Sequence, residues 1–537
     1  MIGHDLIGPD RLPSLQTAPP RAIPSADQLY WQDLEIGMFV HFAPNTWQDK
    51  EGDDLSTPLS AINPDIDTDN WAQCAVNLGA RYIVFVAKHA GGFCMWQTTT
   101  TKYSIAHTPW KNGHGDVLAD ISASCKNRGL RLGVYISPRD DYFGAGIGGV
   151  CKDPSRQPAY NAMYREQLTE VLTRYGSMVE VWFDGSSVVP TSDLVRKYAS
   201  HAAIFQGPDA TIRWVGTEKG FAPYPLWDAE SKAEARSGVS TSLDSDPAGD
   251  AWIPVECDVS IRRPNWFWST TDVRNLMTLD QLIEVYYRSV GRGAQLLLNI
   301  PADRRGHMPD PDFARARAFG QEMRRRFGKA VAETEGSGAH IELPLAQSVP
   351  VDHVIVQEDC RYGQRVLGFR LEGRAAGGWT TLYTGSSIGH KRIVPVAPAD
   401  YRALRLSVTE SMGTPRIRRL AAFHTGATPP PTWDESAHLW SADTVGEWKD
   451  AQFEVDLTAK IKDAAQYRVR FVPLDGKVSG ITGAELLIDG AAAPQFVHAD
   501  PAAPNALILN ITGIGQKVIL RGTVHGAQQG TILLQKM

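Results

Sequence analysis

Between about residues 35 and 330 the chain alternates short apolar runs with longer amphipathic stretches. The apolar runs fall at 37–42, 82–87, 132–136, 179–183, 212–215, 253–257 and 295–300. Helical periodicity fills 69–79, 115–128, 157–175, 191–202 and 278–290, and then 311–328 after the last run. Strands covered on both faces read as near-continuous apolar runs, so this alternation predicts βαβ units around a parallel sheet. Seven clear strands and a weak eighth fit an α/β fold of (β/α)8 type, degenerate in the 220–290 region. An open doubly wound sheet is the competing arrangement, but no Gly-x-Gly-x-x-Gly loop follows the first strand.

After residue 335 the texture changes. Strand-length runs at 353–357, 365–371, 379–384 and 403–408 come at short intervals with turn residues between them, the pattern of a β-sandwich. A proline-rich linker at 428–432 follows, and then a second all-β stretch with runs at 467–472, 484–488, 506–511 and 516–521. The predicted organisation is an extended lead-in (1–27), a catalytic (β/α)8-like barrel (28–334), a β-sandwich (335–427) and a second sandwich-like domain (428–537).

Charge and composition narrow the function. A net charge of −6 argues against a nucleic-acid or anionic-membrane partner. No apolar run is long enough to span a bilayer, and no signal peptide is evident. The expected setting is periplasmic or secreted if a leader was removed, and cytoplasmic otherwise. The six cysteines lack CxxC or Cys/His ligand spacing and read as buried thiols, and no metal or cofactor is implied. Fifteen tryptophans tilt the reading towards a sugar-binding cleft.

Val-Glu-Val-Trp-Phe-Asp-Gly (179–185) is the most telling stretch. A strand ends on Asp184, which Trp182 and Phe183 are expected to shield, and Gly185 permits a tight turn. Other strand ends carry His41, Lys88 and His89, Ser137 with Arg139 and Asp140, Arg213 with Glu218, Glu256 with Asp258, and Asn299. In a barrel these groups gather at one rim. Carboxylates, histidines and tryptophans without a phosphate loop suit hydrolysis of a glycosidic bond. Metal-dependent hydrolysis through His41, His89 and Asp184 competes, but no HxH or HExxH pair is present. A serine nucleophile lacks its Gly-x-Ser-x-Gly elbow.

Several stretches are similar to the α-L-fucosidases of glycoside hydrolase family 29. They are Gly-Met-Phe-Val-His-Phe-Ala-Pro-Asn-Thr (37–46), Val-Ala-Lys-His-Ala-Gly-Gly-Phe-Cys-Met-Trp (86–96), Leu-Gly-Val-Tyr-Ile-Ser-Pro (132–138) and Val-Trp-Phe-Asp-Gly (181–185). Ile-Arg-Trp-Val-Gly-Thr-Glu (212–218), Trp-Ile-Pro-Val-Glu-Cys-Asp-Val-Ser-Ile-Arg (252–262) and Leu-Leu-Leu-Asn-Ile (296–300) complete the series. The blocks at 213–218 and 254–261 resemble the subfamily acting on α-1,3 and α-1,4 linkages.

The resemblance implies a retaining exo-α-L-fucosidase acting on fucosylated oligosaccharides or glycoconjugates. Asp184 would be its nucleophile and Glu218 its acid/base, with Glu256 a rival for that role. His41, His89, Tyr135, Trp182 and Arg213 would contact the sugar. Three positions depart from the family pattern. His-His-Asp-Gly-Phe is here His89-Ala90-Gly91-Gly92-Phe93, Arg139 replaces a tryptophan, and Thr217 replaces an asparagine. A related glycosidase acting on another L-sugar, such as an L-galactoside, and a non-catalytic carbohydrate-binding protein are the alternatives. Carbohydrate binding and structural support are the two readings of the β domains; support of the barrel is expected for the first, and for the last an oligomerisation role is equally open.

Overall fold

The computed structural model describes residues 14–16, 22–233, 235–272, 275–427, 442–461, 466–473, 478–499, 506–511 and 517–536. Eight parallel strands form the first sheet. They are β1 (Ile36–Val40), β2 (Tyr82–Lys88), β3 (Arg131–Ile136), β4 (Met178–Trp182), β5 (Ala203–Phe205), β6 (Arg213–Trp214), β7 (Val255–Ser260) and β8 (Gln295–Asn299). Their spatial order is β5-β4-β3-β2-β1-β8-β7-β6, and a bridge between Phe205 and Ile212 brings the two edges together. The sheet is therefore a nearly closed barrel, and the open doubly wound alternative falls.

The local chemistry accounts for the elements. All seven residues of β2, Tyr-Ile-Val-Phe-Val-Ala-Lys, are buried, as expected for a strand with the barrel on one side and helices on the other. The helix Thr68–Leu78 starts where the Asp67 side chain accepts from the Asn70 amide, and it ends at Gly79, whose φ of 90° turns the chain. The helix Leu279–Arg288 opens with a capping box between Thr278 and Gln281.

The irregular part of the barrel overlaps the expected 220–290 region but begins earlier, at β5. No helix separates β5 from β6, and the chain from 215 to 254 is a long excursion holding a short ribbon of Ala229–Glu230 with Ala251–Trp252 and a 3-10 turn at Ser242–Asp244. β5 is only three residues long, too short to register as an apolar run.

Alternate strand residues fill the interior in layers. Tyr82, Glu180, Glu256 and Gln295 form the lowest, and Phe39, Tyr135, Trp182, Phe205 and Leu297 pack above them. Gly37 leaves room for Tyr82, whose ring would lie 2.3 Å from any Cβ at that position.

Six antiparallel strands between Ala332 and Phe423 form the next layer. Alternation assigns their faces. Val354 and Val356 belong to this layer's own core, whereas Ile355, with Ile393, Ala421 and Phe423, packs into the core of the barrel. The Tyr287 hydroxyl meets His353 Nε2 at 2.8 Å across the junction. This layer is thus built into the barrel's support.

Most of the lead-in, and the linker at 428–432, lie outside the described residues. Within the lead-in, Ser14–Gln16 pairs in parallel with Glu410–Met412. Ser25 caps the helix Ala26–Leu34, so the end of the lead-in is helical rather than extended.

The chain divides into two compact units near residue 433. The second unit has a five-stranded and a four-stranded antiparallel sheet around a core that includes Trp448, Phe471, Leu486 and Leu520. Among the described residues no helix is long and apolar enough to cross a membrane.

Candidate active site

The side chains of β4 set the centre of the site. Glu180 and Trp182 point into the barrel, and Asp184, two residues on, reaches the rim at the C-terminal ends of the strands. Gly185 adopts φ 74°, which lets the chain turn immediately after the acid. The Tyr135 hydroxyl, on the neighbouring strand, donates to Asp184 Oδ2 at 2.9 Å. The expected aromatic shield does not form. The Trp182 ring stacks on Phe205 with centroids 3.5 Å apart, and Phe183 faces the helical layer. Asp184 is exposed, because alternation turns Phe183 to the helical layer and Trp182, on the same inward side, is packed against Phe205 one layer below.

His41 and His89 line the wall beside Asp184, with ring centroids 5.8 Å apart. His89 stacks on Tyr135 at 5.6 Å. Burial, opposed by the charge of Asp184, pulls the His89 imidazole down to about 4. His41 is held well below its ordinary range by burial first and by His89 second. Its Nδ1 lies 2.8 Å from Asn299 Oδ1, while the Asn299 amide donates to the Trp266 carbonyl at 2.8 Å and to Ser260 at 2.9 Å. A carbonyl can only accept, so the amide orientation is set and His41 Nδ1 carries the hydrogen. A neutral His41 then keeps Nε2 as an acceptor.

Glu218 stands on the loop after β6, partly exposed, with Arg263 Nη1 2.5 Å from its carboxylate. Asp258 on β7 is buried and accepts from Trp214 Nε1 at 2.6 Å. Burial pushes its carboxyl up to about 7, and the charges of Glu218 and Asp184 push the same way. Trp266 and Phe267 complete the wall, 5.3 and 5.2 Å from the His41 ring. Their amides donate to Glu51, reaching across from the loop after β1.

Two predicted site residues sit elsewhere. Glu256 lies in the lowest interior layer, fully buried beside Glu180 and 3.4 Å from the Tyr82 hydroxyl. Arg213 donates to Glu230 at 2.8 Å, to the Trp227 carbonyl at 2.6 Å and to Ser245 at 3.1 Å. It anchors the excursion after β6, and its neighbour Trp214 reaches Asp258 at the site instead. Trp182 contributes through the layer beneath the rim. Lys88 is withdrawn as well, held by Asp140 and Gln167 at 3.1 Å each. Among the described residues no cluster of three or more His, Cys, Asp or Glu side chains is arranged to hold a metal ion.

The sequence reading missed Trp214, Trp266, Phe267, Glu51 and the importance of Asp258. The aromatic run Trp266-Phe267-Trp268 just beyond a strand end was the available signal.

The α-L-fucosidase family model matches residues 54–326, half of the chain, which takes in the whole rim from His89 to Asn299. The chain belongs to the α-L-fucosidase family. α-L-Fucosidase 1 of Arabidopsis thaliana is 30% identical over 452 residues, covering 75% of this chain and 87% of its own. A solved structure from Bacteroides thetaiotaomicron aligns with a TM-score of 0.71 and 30% identity, over 75% of this chain and 99% of that one. A glycoside hydrolase 29 family member from an unknown rumen bacterium, 26% identical with a TM-score of 0.69, covers 97% of this chain and all of its own. This fucosidase is thus a glycoside hydrolase whose barrel and β layers both have structural counterparts.

Proposed function

We propose that this fucosidase is a retaining exo-enzyme releasing terminal α-1,3- or α-1,4-linked L-fucose from branched oligosaccharides or glycoconjugates. Asp184 is its nucleophile and Glu218 its acid/base. The supporting observation is the contact between Tyr135 and Asp184, which aims a strand-end carboxylate into a wall of neutral histidines. Glu256 is a poor acid/base in this reading because it lies below the rim, out of reach of a bound glycoside.

In the first step Asp184 attacks the anomeric carbon while Glu218 protonates the departing oxygen. In the second, Glu218 deprotonates water, which displaces Asp184 and keeps the anomeric configuration. Arg263 would steady the Glu218 carboxylate between steps, and His41 and His89 would bind ring hydroxyls as neutral groups. The linkage preference rests on the motif resemblance at 213–218 and 254–261.

The test is fucose release from a Lewis-type trisaccharide and from an aryl fucoside, with the first-formed anomer read by proton NMR. Release of α-fucose from the trisaccharide, lost in Asp184→Ala and in Glu218→Gln, is the expected result. Initial release of the β anomer would overturn the retaining assignment, and equal rates on both substrates would overturn the linkage preference.

A further inference from the structure

Gly91 has an ordinary φ, so its backbone does not call for glycine. What it provides is space. A Cβ there would lie 2.4 Å from Asp53 Oδ2 and 2.6 Å from Asp53 Cβ. Asp53 arrives from the loop after β1 and occupies the volume directly over Gly91.

Asp53 is firmly held. Tyr103 donates to Oδ2 at 2.7 Å, Gln48 to Oδ1 at 2.8 Å and the Leu55 amide to Oδ1 at 2.9 Å. Tyr103 is itself stacked on Tyr142 at 4.8 Å, and the Tyr142 amide donates to the Gly91 carbonyl at 3.2 Å. These donors are all neutral, and Oδ2 keeps capacity for a further hydrogen bond. The carboxylate is only half-buried, and its charge is felt by His89. The Nδ1 atom of His89 is buried without a hydrogen-bond partner, so the corner between His89 and Asp53 is rich in polar groups.

We propose that Asp53 is a sugar-binding residue of this fucosidase, accepting a hydrogen bond from one ring hydroxyl of the bound L-sugar from the position over Gly91 that the missing side chain leaves for it. The proposal rests on the placement of His89 and Asp184 at the sugar site. The carboxylate comes from a different loop than the His89–Phe93 segment, where this chain carries Ala90 and Gly91. It thereby decides which hydroxyl pattern the enzyme prefers. A hydroxyl bonded to a charged acceptor contributes enough for a tenfold to hundredfold effect, roughly.

The experiment compares wild type, Asp53→Asn, Asp53→Ala, Gly91→Ala and the Asp53→Ala/Gly91→Ala double variant. Substrates are an aryl α-L-fucoside and its 2-, 3- and 4-deoxy analogues, and free L-fucose affinity is measured by calorimetry. Asp53→Asn is expected to lose roughly tenfold to hundredfold in kcat/KM and in fucose affinity, with Tm unchanged. For one deoxy analogue, wild type and Asp53→Asn should be equal. Gly91→Ala should resemble Asp53→Ala, and the double variant should lose nothing more.

Equal losses on all three analogues, unchanged fucose affinity in Asp53→Asn, or additive losses in the double variant would each overturn the proposal. A wild type that binds fucose without turnover would overturn the catalytic reading, and the affinity comparison would still decide the role of Asp53.

Discussion

Tyr135 and Asp184, on adjacent parallel strands, meet through a hydroxyl–carboxylate hydrogen bond of 2.9 Å at the barrel rim. The bond couples the exposed acid to the buried aromatic layer, since the Tyr135 ring stacks on His89 at 5.6 Å and packs near Trp182 and Phe39. A flexible strand-end side chain is thereby held in one orientation.

Tyr135→Phe removes that donor while keeping the ring. A hydrogen bond to a charged group is worth about 1.5–3 kcal/mol, and partial exposure of Asp184 puts this one at the lower end. A fall in kcat of roughly tenfold, with KM less affected, is expected from steady-state kinetics.

Arg213 separates a sugar-contact role from an anchoring one. Arg213→Ala leaves Glu230 buried beside empty space, which costs about 3–5 kcal/mol for a buried pair broken on one side. Urea denaturation should show that loss. A raised KM with an unchanged midpoint would instead mean that the arginine binds substrate.

The Glu180–Glu256 pair should tie stability to pH. Burial raises Glu180 to about 7 and lifts Glu256 well above the carboxylate range, with Glu180's charge adding to the shift on Glu256. Folded values above the unfolded ones mean that the contribution is complete in acid. It is lost as pH rises from about 4.3 through the folded values. Glu256→Gln should flatten the dependence of Tm on pH between roughly 5 and 8. A slope identical to wild type would show that the pair does not titrate in this window.

Trp266 forms one wall, its ring 5.3 Å from His41 and its carbonyl holding Asn299. Trp266→Ala keeps the carbonyl and removes the ring. An aromatic contact of about 0.5–1.5 kcal/mol predicts a KM raised roughly threefold to tenfold, with Tm nearly unchanged for this half-buried side chain. An unchanged KM on the aryl fucoside would take Trp266 out of the sugar wall.

Most of the barrel was legible in the sequence because its strands are covered on both faces and read as unbroken apolar runs. Six helices were legible from their periodicity, although the one expected at 191–202 spans only Ser192–Tyr198, and Asp184, His41 and His89 were legible from their places at strand ends. β5 escaped because three residues carry no period. Glu256 and Arg213 were misplaced for a related reason. A polar residue near a strand end can face the rim, the interior or a neighbouring loop, and a linear pattern does not state how far along the barrel axis it lies. Glu256 precedes the end of β7 by four residues, which puts it on the floor, whereas Asp258 reaches the site.

The sequence by itself determined the alternation of elements, the layered β segments that follow and the residue types delivered to strand ends. Only the tertiary structure decided which of those residues meet. Glu51 and Trp266 lie far from Asp184 along the chain, and Glu51 carries no local signal of function. They join the site because barrel closure brings the loops after β1 and β7 to the same rim, where burial and charge are properties of the assembled neighbourhood rather than of any segment.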